Sequence, residues 1–430
     1  MVRLLLPLGL AAYGMCAVAQ PVTSPVSPAS EAPIMRGVRT VEPATSLTLA
    51  AALSLAMQTN AGLAAARHEL DAVDAAVRQA GTLPNPTLDM TAEDRRRETR
   101  ETAIQLSLPL EWGGKRSARI AAAEHERAAT AAELQAKHAE VRAAVIAAFF
   151  EVLIAQERLR LAEEAALLAR RGADAAARRV TAGKVSPVEE TKARVAESSV
   201  RLELQHAKLE LAMARKRLAA TWGNPAPRFE RAEGQAEALP ALPDPAALTQ
   251  RLPQAPAIVR ARAERDRREA LARLESRRRI PDLTVSLGVK RSEELGRNRA
   301  IVGLSLPLPI FDQNRGNLLE ARRRADKARE ELSSAELLLD QEVHQAIGRL
   351  TLARQEVEVL QNDIVPAARQ AMEAAAKGFE YGKFSFLDML DAQRTLLAAR
   401  SQYLRALSDA HRAGAEIDRL LGTVPYATTP

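Results

Sequence analysis

The sequence predicts a mainly α-helical protein with a small membrane β-barrel, built on duplicated long-helix hairpins. Three observations carry that prediction. First, the chain repeats itself: LSLPLEWGGKRSARIAAAE, beginning at Leu106, returns as LSLPLPIFDQNRGNLLEARRR, beginning at Leu304. Second, apolar residues make up 47% of the chain and aromatics only 3%, so Ala and Leu dominate, as they do in long, closely packed helices. Third, four short stretches alternate apolar and polar residues with period two, the strand period.

The duplication extends beyond that string. LPNPTL (Leu83 to Leu88) matches IPDLTV (Ile280 to Val285), AGKVSPVEETKARV (from Ala182) matches YGKFSFLDMLDAQRTL (from Tyr381), and Trp222-Gly223 matches Leu421-Gly422. Each copy spans roughly 175 residues, far beyond the ~20 to 50 of a solenoid unit, so the copies are two halves of one architecture. The expected organisation is a signal peptide (1–19), an extended N-terminal arm (20–46), repeat 1 (47–223), a Pro-rich linker (224–245), repeat 2 (246–422) and a C-terminal tail (423–430).

In the signal segment Arg3 supplies the positive end, Leu4 to Ala12 the apolar core, and Ala17-Val18-Ala19 a small-x-small cleavage site. Cys16, the only cysteine, is then removed with it. A lipoprotein signal, with Cys16 as the lipidated N-terminus, is the rival reading; Met15 fits it poorly because that processing favours a small residue there.

After the arm, a helix is expected from Leu47, with Ser46 as its cap, breaking at Thr59-Asn60. A second runs from Ala61 to about Gln79 and stops ahead of Pro84. The strands follow. Leu88, Met90 and Ala92 alternate with Thr87, Asp89 and Thr91, and Ile104, Leu106, Leu108 and Leu110 alternate with Gln105 and Ser107. In the second copy Leu283, Val285, Leu287 and Val289 alternate with Thr284 and Ser286, and Val302, Leu304, Leu306 and Leu308 with Gly303 and Ser305. Charged hairpin loops, Glu93 to Arg100 and Lys290 to Arg299, separate the members of each pair.

Strands of roughly nine residues with one apolar and one small polar face have the dimensions of transmembrane β-strands, apolar toward lipid and polar toward a watery lumen. Four per chain fall short of the roughly eight that close even a filled barrel, so closure requires several chains, and three would supply twelve strands. Past the strands, Trp112 and Phe311 stand where interfacial aromatics sit.

The next helices are very long. No proline occurs between Arg116 and Arg179, and the second copy, Asn317 to Tyr381, is interrupted only by Gly348, Pro366 and Gly378. At 1.5 Å per residue such a rod reaches about 100 Å. The chain turns at Gly183-Lys184 or Gly382-Lys383 and returns as a second helix to Trp222 or Leu421. Stacked end to end with the helix before the strands, it nearly matches the rod, giving a hollow helical cylinder below a membrane barrel.

Several function classes are excluded. The net charge is +7, or +6 once Arg3 leaves with the signal, but Arg and Lys interleave with Glu and Asp and stacking aromatics are scarce, so no nucleic-acid partner is expected. His68, His125, His138, His206, His344 and His411 are scattered without ligand spacing, and no catalytic motif is present. No metal site, cofactor or enzymatic activity is expected, and energy for any transport must come from a partner.

The duplicated halves, the PNPTL and IPDLTV strand entries, the LSLPL exits and the glycine turns followed by carboxylates resemble the TolC family of outer-membrane efflux proteins. Within it, RRIPDLTVSLGVKRSEELGRNRAIVGLSLPLPIFDQNRGNLLEARRRADKARE looks like the CzcC-type heavy-metal efflux subfamily. That resemblance implies a homotrimer with a periplasmic α-barrel and a twelve-stranded β-barrel in outer-membrane lipid. It also implies docking to a periplasmic adaptor (membrane fusion protein) and an inner-membrane RND-type pump, and passive conduction of heavy-metal cations. It places an acidic ring at the periplasmic gate on Asp388 and Asp391, with Glu189 and Glu190 in the first copy, and adaptor-docking turns at Gly183, Lys184, Gly382 and Lys383. Where some members carry a gate arginine this chain has Phe384, so an apolar constriction by Phe384 or Phe386 replaces the polar latch. Two alternatives remain: efflux of drugs or small organic molecules through the same scaffold, and a non-pore coiled-coil scaffold or adaptor, which gives no reason for the amphipathic strands.

Overall fold

The computed structural model describes residues 42–381 and 383–422, apart from the side chains of residues 380, 386 and 387. The signal segment with Cys16, nearly all of the N-terminal arm, Gly382, the Phe386 side chain and the C-terminal tail therefore lie outside the described residues.

The first described element corrects the expected helix start. Ser46–Thr48 is a short strand, β1, paired in parallel with β4 (Arg231–Glu233) from within the segment read as a linker. Leu47 is wholly buried there, which favours strand over a solvated first helical turn. The cap is Thr48, whose hydroxyl accepts from the Ala51 amide, and α1 spans Leu49–Thr59. The break at Asn60 occurs as expected: its Oδ1 accepts from the Leu63 amide (3.0 Å) to start α2 (Ala61–Ala80). Its Nδ2 donates to the Thr221 carbonyl (2.7 Å), tying this corner to the far end of the repeat.

Strands β2 (Thr87–Glu93) and β3 (Glu101–Leu110) lead into α3, a single helix of 67 residues over Lys115–Thr181, and α4 (Pro187–Ala220) returns. Gly113 and Gly114, both at positive φ, make the strand-to-helix corner, and a Cβ on Gly113 would come within 2.6 Å of Ile280. The second copy opens with a short helix, α5 (Pro245–Arg251), before α6 (Pro256–Arg278), β5 (Leu283–Ser292) and β6 (Arg297–Ser305). Its long rod is α7 (Arg315–Val359), a π-helical turn (Leu360–Ile364) and α8 (Val365–Glu380), with α9 (Phe386–Leu421) returning. Pro366 explains the π turn, because a ring with no N–H needs the preceding turn widened to avoid the carbonyl four residues back. Gly348 and Gly378 leave the helices unbroken.

α3 is the spine. Ion pairs fix α2 to its first half (Arg127–Asp74) and α4 to its second (Arg158–Glu210 and Arg217–Glu151, the latter at 2.8 Å). α6 and α9 divide the same length (Arg267–Glu126; Arg412–Glu151, 3.4 Å) and pack in turn on α7 and α8. The largest core lies midway, where Phe149, Phe150, Ile146, Leu47, Leu218, Trp222 and Leu407 meet; toward the hairpin turns the packing thins to Ala173, Ala176, Ala193, Ala196, Met372, Phe379, Met389 and Leu390. Small residues there let the rods approach closely.

β2, β3, β5 and β6 form one antiparallel sheet in that order, leaving β2 and β6 at its edges. The expected loop from Lys290 to Arg299 is shorter than its charges suggest: Lys290–Ser292 and Arg297–Arg299 are paired strand, and only four residues turn. Cross-strand ion pairs from Lys290 and Arg299 to Glu101 hold these charged ends in the ladder. Conversely, β6 ends at Ser305, so the LPL that follows is not strand.

Candidate functional site

The sheet sorts its residues into two unlike faces. Across one face the register aligns Leu110 with Leu283, then Leu108, Val285 and Leu304, then Leu88, Leu106, Leu287 and Val302, then Met90, Ile104, Val289 and Ala300. Most of these side chains are exposed, Leu88 at 72% and Val302 at 73%, with Leu283 and Val285 half-buried, although they form a continuous apolar band. The opposite face carries Thr87, Asp89, Gln105, Ser107, Thr284, Ser286 and Ser305, and the Ser107 and Ser286 hydroxyls meet at 3.1 Å. Position 288, opposite Gln105 on this face, is glycine because a Cβ would come within 2.6 Å of the Ile104 carbonyl oxygen. An apolar surface of this extent is a recognition surface, and one about 20 Å tall on strands with solvated backs matches hydrocarbon.

The band is bordered at both ends. At the helical end the Trp112 indole, half exposed, donates to the Pro281 carbonyl (2.6 Å), and Phe311 is 99% exposed. Amphipathic or exposed rings at that level suit a membrane–water boundary. At the far end the next row is Ala92, Thr102, Arg291 and Asn298, and charged loops follow.

The two hairpin turns form the other candidate region. In the first, Gly183 adopts φ +65°, its amide donates to Val180 O (2.9 Å) and the Lys184 amide to Arg179 O (2.9 Å). Ser186 caps α4, with Glu189 and Glu190 in its first turn, and Glu190 approaches Arg194 at 3.6 Å. In the second, the exposed Lys383 donates from its amide to Gly378 O (2.8 Å). Ser385 and Asp388 then form a reciprocal capping box: the Ser385 amide (2.9 Å) and hydroxyl (2.8 Å) donate to Asp388 Oδ2, and the Asp388 amide donates back to the hydroxyl. The serine hydrogen bonds hold the Asp388 carboxyl below its ordinary value, so it stays charged. Asp391 lines a cleft of about 440 Å³ between α4 and α9, together with Lys192 and Arg394.

Some of this was missed from sequence. The Phe384 ring lies on Gly378 and leaves no room for a Cβ there. Arg179 reaches from the first hairpin to the second, donating to the Phe379 carbonyl (2.7 Å) with its guanidinium 3.9 Å from the ring centre. The clue was positional, because Arg179 and Gly378 occupy equivalent places four residues before the turn glycines. Of the histidines, His138 lies 3.4 Å from Met57 Sδ and His411 is buried; among the described residues no cluster of His, Cys, Asp and Glu is arranged to hold a metal.

The model of the family described as "Outer membrane efflux protein" matches this chain twice, over residues 52–224 and 247–423. The chain belongs to that family. It is 48% identical over 423 residues to the cobalt-zinc-cadmium resistance protein CzcC of Cupriavidus metallidurans, covering 98% of this chain and 99% of the relative. Among solved structures, the outer membrane protein VceC of Vibrio cholerae superimposes with a TM-score of 0.72 at 19% identity, over 87% of this chain and 96% of its own. The MtrE outer membrane channel of Neisseria gonorrhoeae does so with a TM-score of 0.74 at 19% identity, over 87% and 88%. As an outer membrane efflux protein, the chain has its amphipathic sheet in the outer membrane and its long helices in the periplasm. The hairpin loops beyond β2 and β5 lie at the end of the sheet away from the helices that enter and leave it, and the turn at Gly183 lies at the far end of α3.

Proposed function

We propose that three copies of this chain form the exit duct of a tripartite efflux system, passively conducting heavy-metal cations delivered by an inner-membrane RND-type pump through a periplasmic adaptor. The carrying observation is the four-stranded sheet, which exposes most of its apolar face and, among the described residues, leaves both edge strands unpaired. Unpaired edges cannot persist in hydrocarbon, so β6 of one copy pairs with β2 of the next, and three copies close twelve strands. The cation assignment is supported by the 48% identity to a cobalt-zinc-cadmium resistance protein.

At the tip, Asp388, Asp391, Glu189 and Glu190 make the acidic entrance, and threefold repetition multiplies their attraction for cations. Lys192 and Arg394 beside Asp391 moderate that attraction, so cations pass without being stored. Phe384 forms the apolar constriction, while Gly183, Lys184 and Lys383 present the turns to the adaptor; the Phe386 side chain and Gly382, named for the same roles, lie outside the described residues. Trp112 and Phe311 anchor the periplasmic boundary of the barrel. The test is the conductance of the purified protein in planar bilayers, combined with cobalt, zinc and cadmium sensitivity of a deletion strain. A protein that never conducts sinks the duct; a strain that loses drug tolerance but keeps metal tolerance sinks the substrate. Phe384→Ala channels matching the parent in conductance would remove the constriction.

A further inference from the structure

The hairpin loops of the sheet carry arginines that make no ion pair among the described residues. Four nearby carboxylates are engaged within the strand ends or turns, while Glu98 and Glu294 are exposed in the same loops and make no ion pair among the described residues. Glu93 pairs with Lys290 (3.4 Å), Glu101 with Lys290 and Arg299, and Glu293 with Arg291 (2.9 Å). Asp94, at φ +67°, accepts from the Arg96 amide (3.1 Å) and the Thr99 hydroxyl within its own turn. Arg95, Arg96 and Arg97 are consecutive and exposed, and none of them makes an ion pair among the described residues; Arg97 acts on Glu293 only through the longer-range field. They follow closely on Ala92, the last residue of β2 on the apolar face, in the row that also holds Arg291. Thus the unneutralised arginines begin at the level where the lipid-facing band ends.

We propose that Arg95, Arg96 and Arg97 bind the phosphate groups of anionic lipid headgroups in the outer leaflet. Charge complementarity and continuity with the lipid-facing band both favour this occupant. A guanidinium presents paired donors to phosphate oxygens, and its weaker hydration lowers the cost of leaving water at the headgroup level. Arg299, paired with Glu101 on the polar face, is the contrasting cation: near in space, but neutralised and on the lumen side.

The proposal rests on the strands crossing the membrane, so its test separates the two. Purified full-length protein in detergent is titrated with bis-phosphorylated lipid A, with the same lipid lacking phosphates and with inorganic phosphate, and bound lipids are counted by native mass spectrometry. The phosphorylated lipid should bind preferentially, and Arg95→Gln/Arg96→Gln/Arg97→Gln should weaken that binding by about fivefold per arginine. Arg299→Gln should leave it unchanged. Equal binding of the two lipids assigns retention to acyl chains, an equal loss in Arg299→Gln assigns it to general charge, and displacement by equimolar inorganic phosphate assigns it to a free anion; each overturns the proposal. In zwitterionic bilayers the triple variant should conduct as the parent does. A parent that fails to conduct there refutes the spanning strands, a result independent of the lipid titration.

Discussion

α4 and α9 hold equivalent places in the two copies and have opposite surroundings. α4 packs principally on α3, and Val188, Val195, Leu202 and Leu209, seven residues apart, remain exposed along it at 56 to 62%. α9 packs on α3, α7 and α8, and its second half is buried on nearly every side. The positions equivalent to Val195, Leu202 and Leu209 are Arg394, Ser401 and Ser408, whereas those equivalent to Ala212 and Ala219 are His411 and Asp418. One copy therefore shows its apolar stripe to solvent while the other buries polar groups. α4 is a helix awaiting a neighbour, and α9 is one already surrounded. α7 supplies a matching stripe, Leu338, Leu352 and Val359, also exposed and in heptad register.

The largest effect should come from breaking the open stripe. Burying a leucine is worth about 1.5 to 3 kcal/mol, and an unpaired carboxylate in its place costs more, at each seam of the proposed trimer. Leu202→Asp/Leu209→Asp should therefore abolish assembly while leaving each chain helical, as size-exclusion chromatography with light scattering and circular dichroism would report. Leu407→Asp, inside α9, should unfold the chain instead. If the stripe variant still assembles as the parent does, α4 is not an edge.

This contrast also shows what the sequence made legible. Period-two alternation identified all four strands, since a face against lipid and a face against water must alternate. The helix break at Asn60 and the long rods could be read from capping and from the absence of proline. β1 and β4 could not, because three-residue strands lack a period and depend on Leu47 reaching the central core. Lys290 and Arg299 read as loop because charge usually marks solvent; their partner Glu101 lies far away in sequence and is invisible to a local pattern. The hairpin turns and the carboxylates in the first turns of α4 and α9 were legible, but the Arg179 bridge between hairpins is a tertiary fact with no local signature.

The buried polar groups of α9 give the next effect. His411 stacks on Phe150 (3.5 Å between ring centres) and donates from Nε2 to the Ala236 carbonyl (2.7 Å), while its Nδ1 has no hydrogen-bond partner among the described residues. Burial pushes its pKa down to about 4 from 6.5, outweighing the Ala236 hydrogen bond. Its stabilising contribution is full above pH 6.5 and is lost as the pH falls toward 4, about 3 kcal/mol in all. Asp418 has the opposite sign. Burial raises it to about 6 from 3.8 despite Arg142 and Arg251, so its contribution is full below pH 3.8 and lost as the pH rises through 6. The two offset each other between pH 4 and 6. His411→Phe should make the protein gain thermal stability on acidification through that window, and Asp418→Asn should make it lose stability; parallel curves for both variants would refute the pairing.

A smaller effect belongs to the tip. Arg179→Ala removes a charged hydrogen bond and a cation–π contact that join the hairpins, together about 2 kcal/mol. The second hairpin should loosen more than the first, raising single-channel open probability with little change in melting temperature. Unchanged gating would mean that the bridge only packs the tip.

The smallest effect tests the caps themselves. Ser186 accepts from the Val188 amide (3.3 Å) without a reciprocal carboxylate, whereas Ser385 and Asp388 bond in both directions. Because the serine hydrogen bonds hold the Asp388 pKa below 3.8, its cap contributes fully above that pH and is lost as the pH falls through the lowered value. Amide hydrogen exchange in the first turn of α9 should therefore quicken on strong acidification, while the first turn of α4 should show no comparable step. Asp388→Asn should flatten the α9 response with little change near neutrality, since the amide oxygen still accepts from Ser385. If α4 shows the same acid step, the two caps are alike and the asymmetry between the tips does not extend to their first turns.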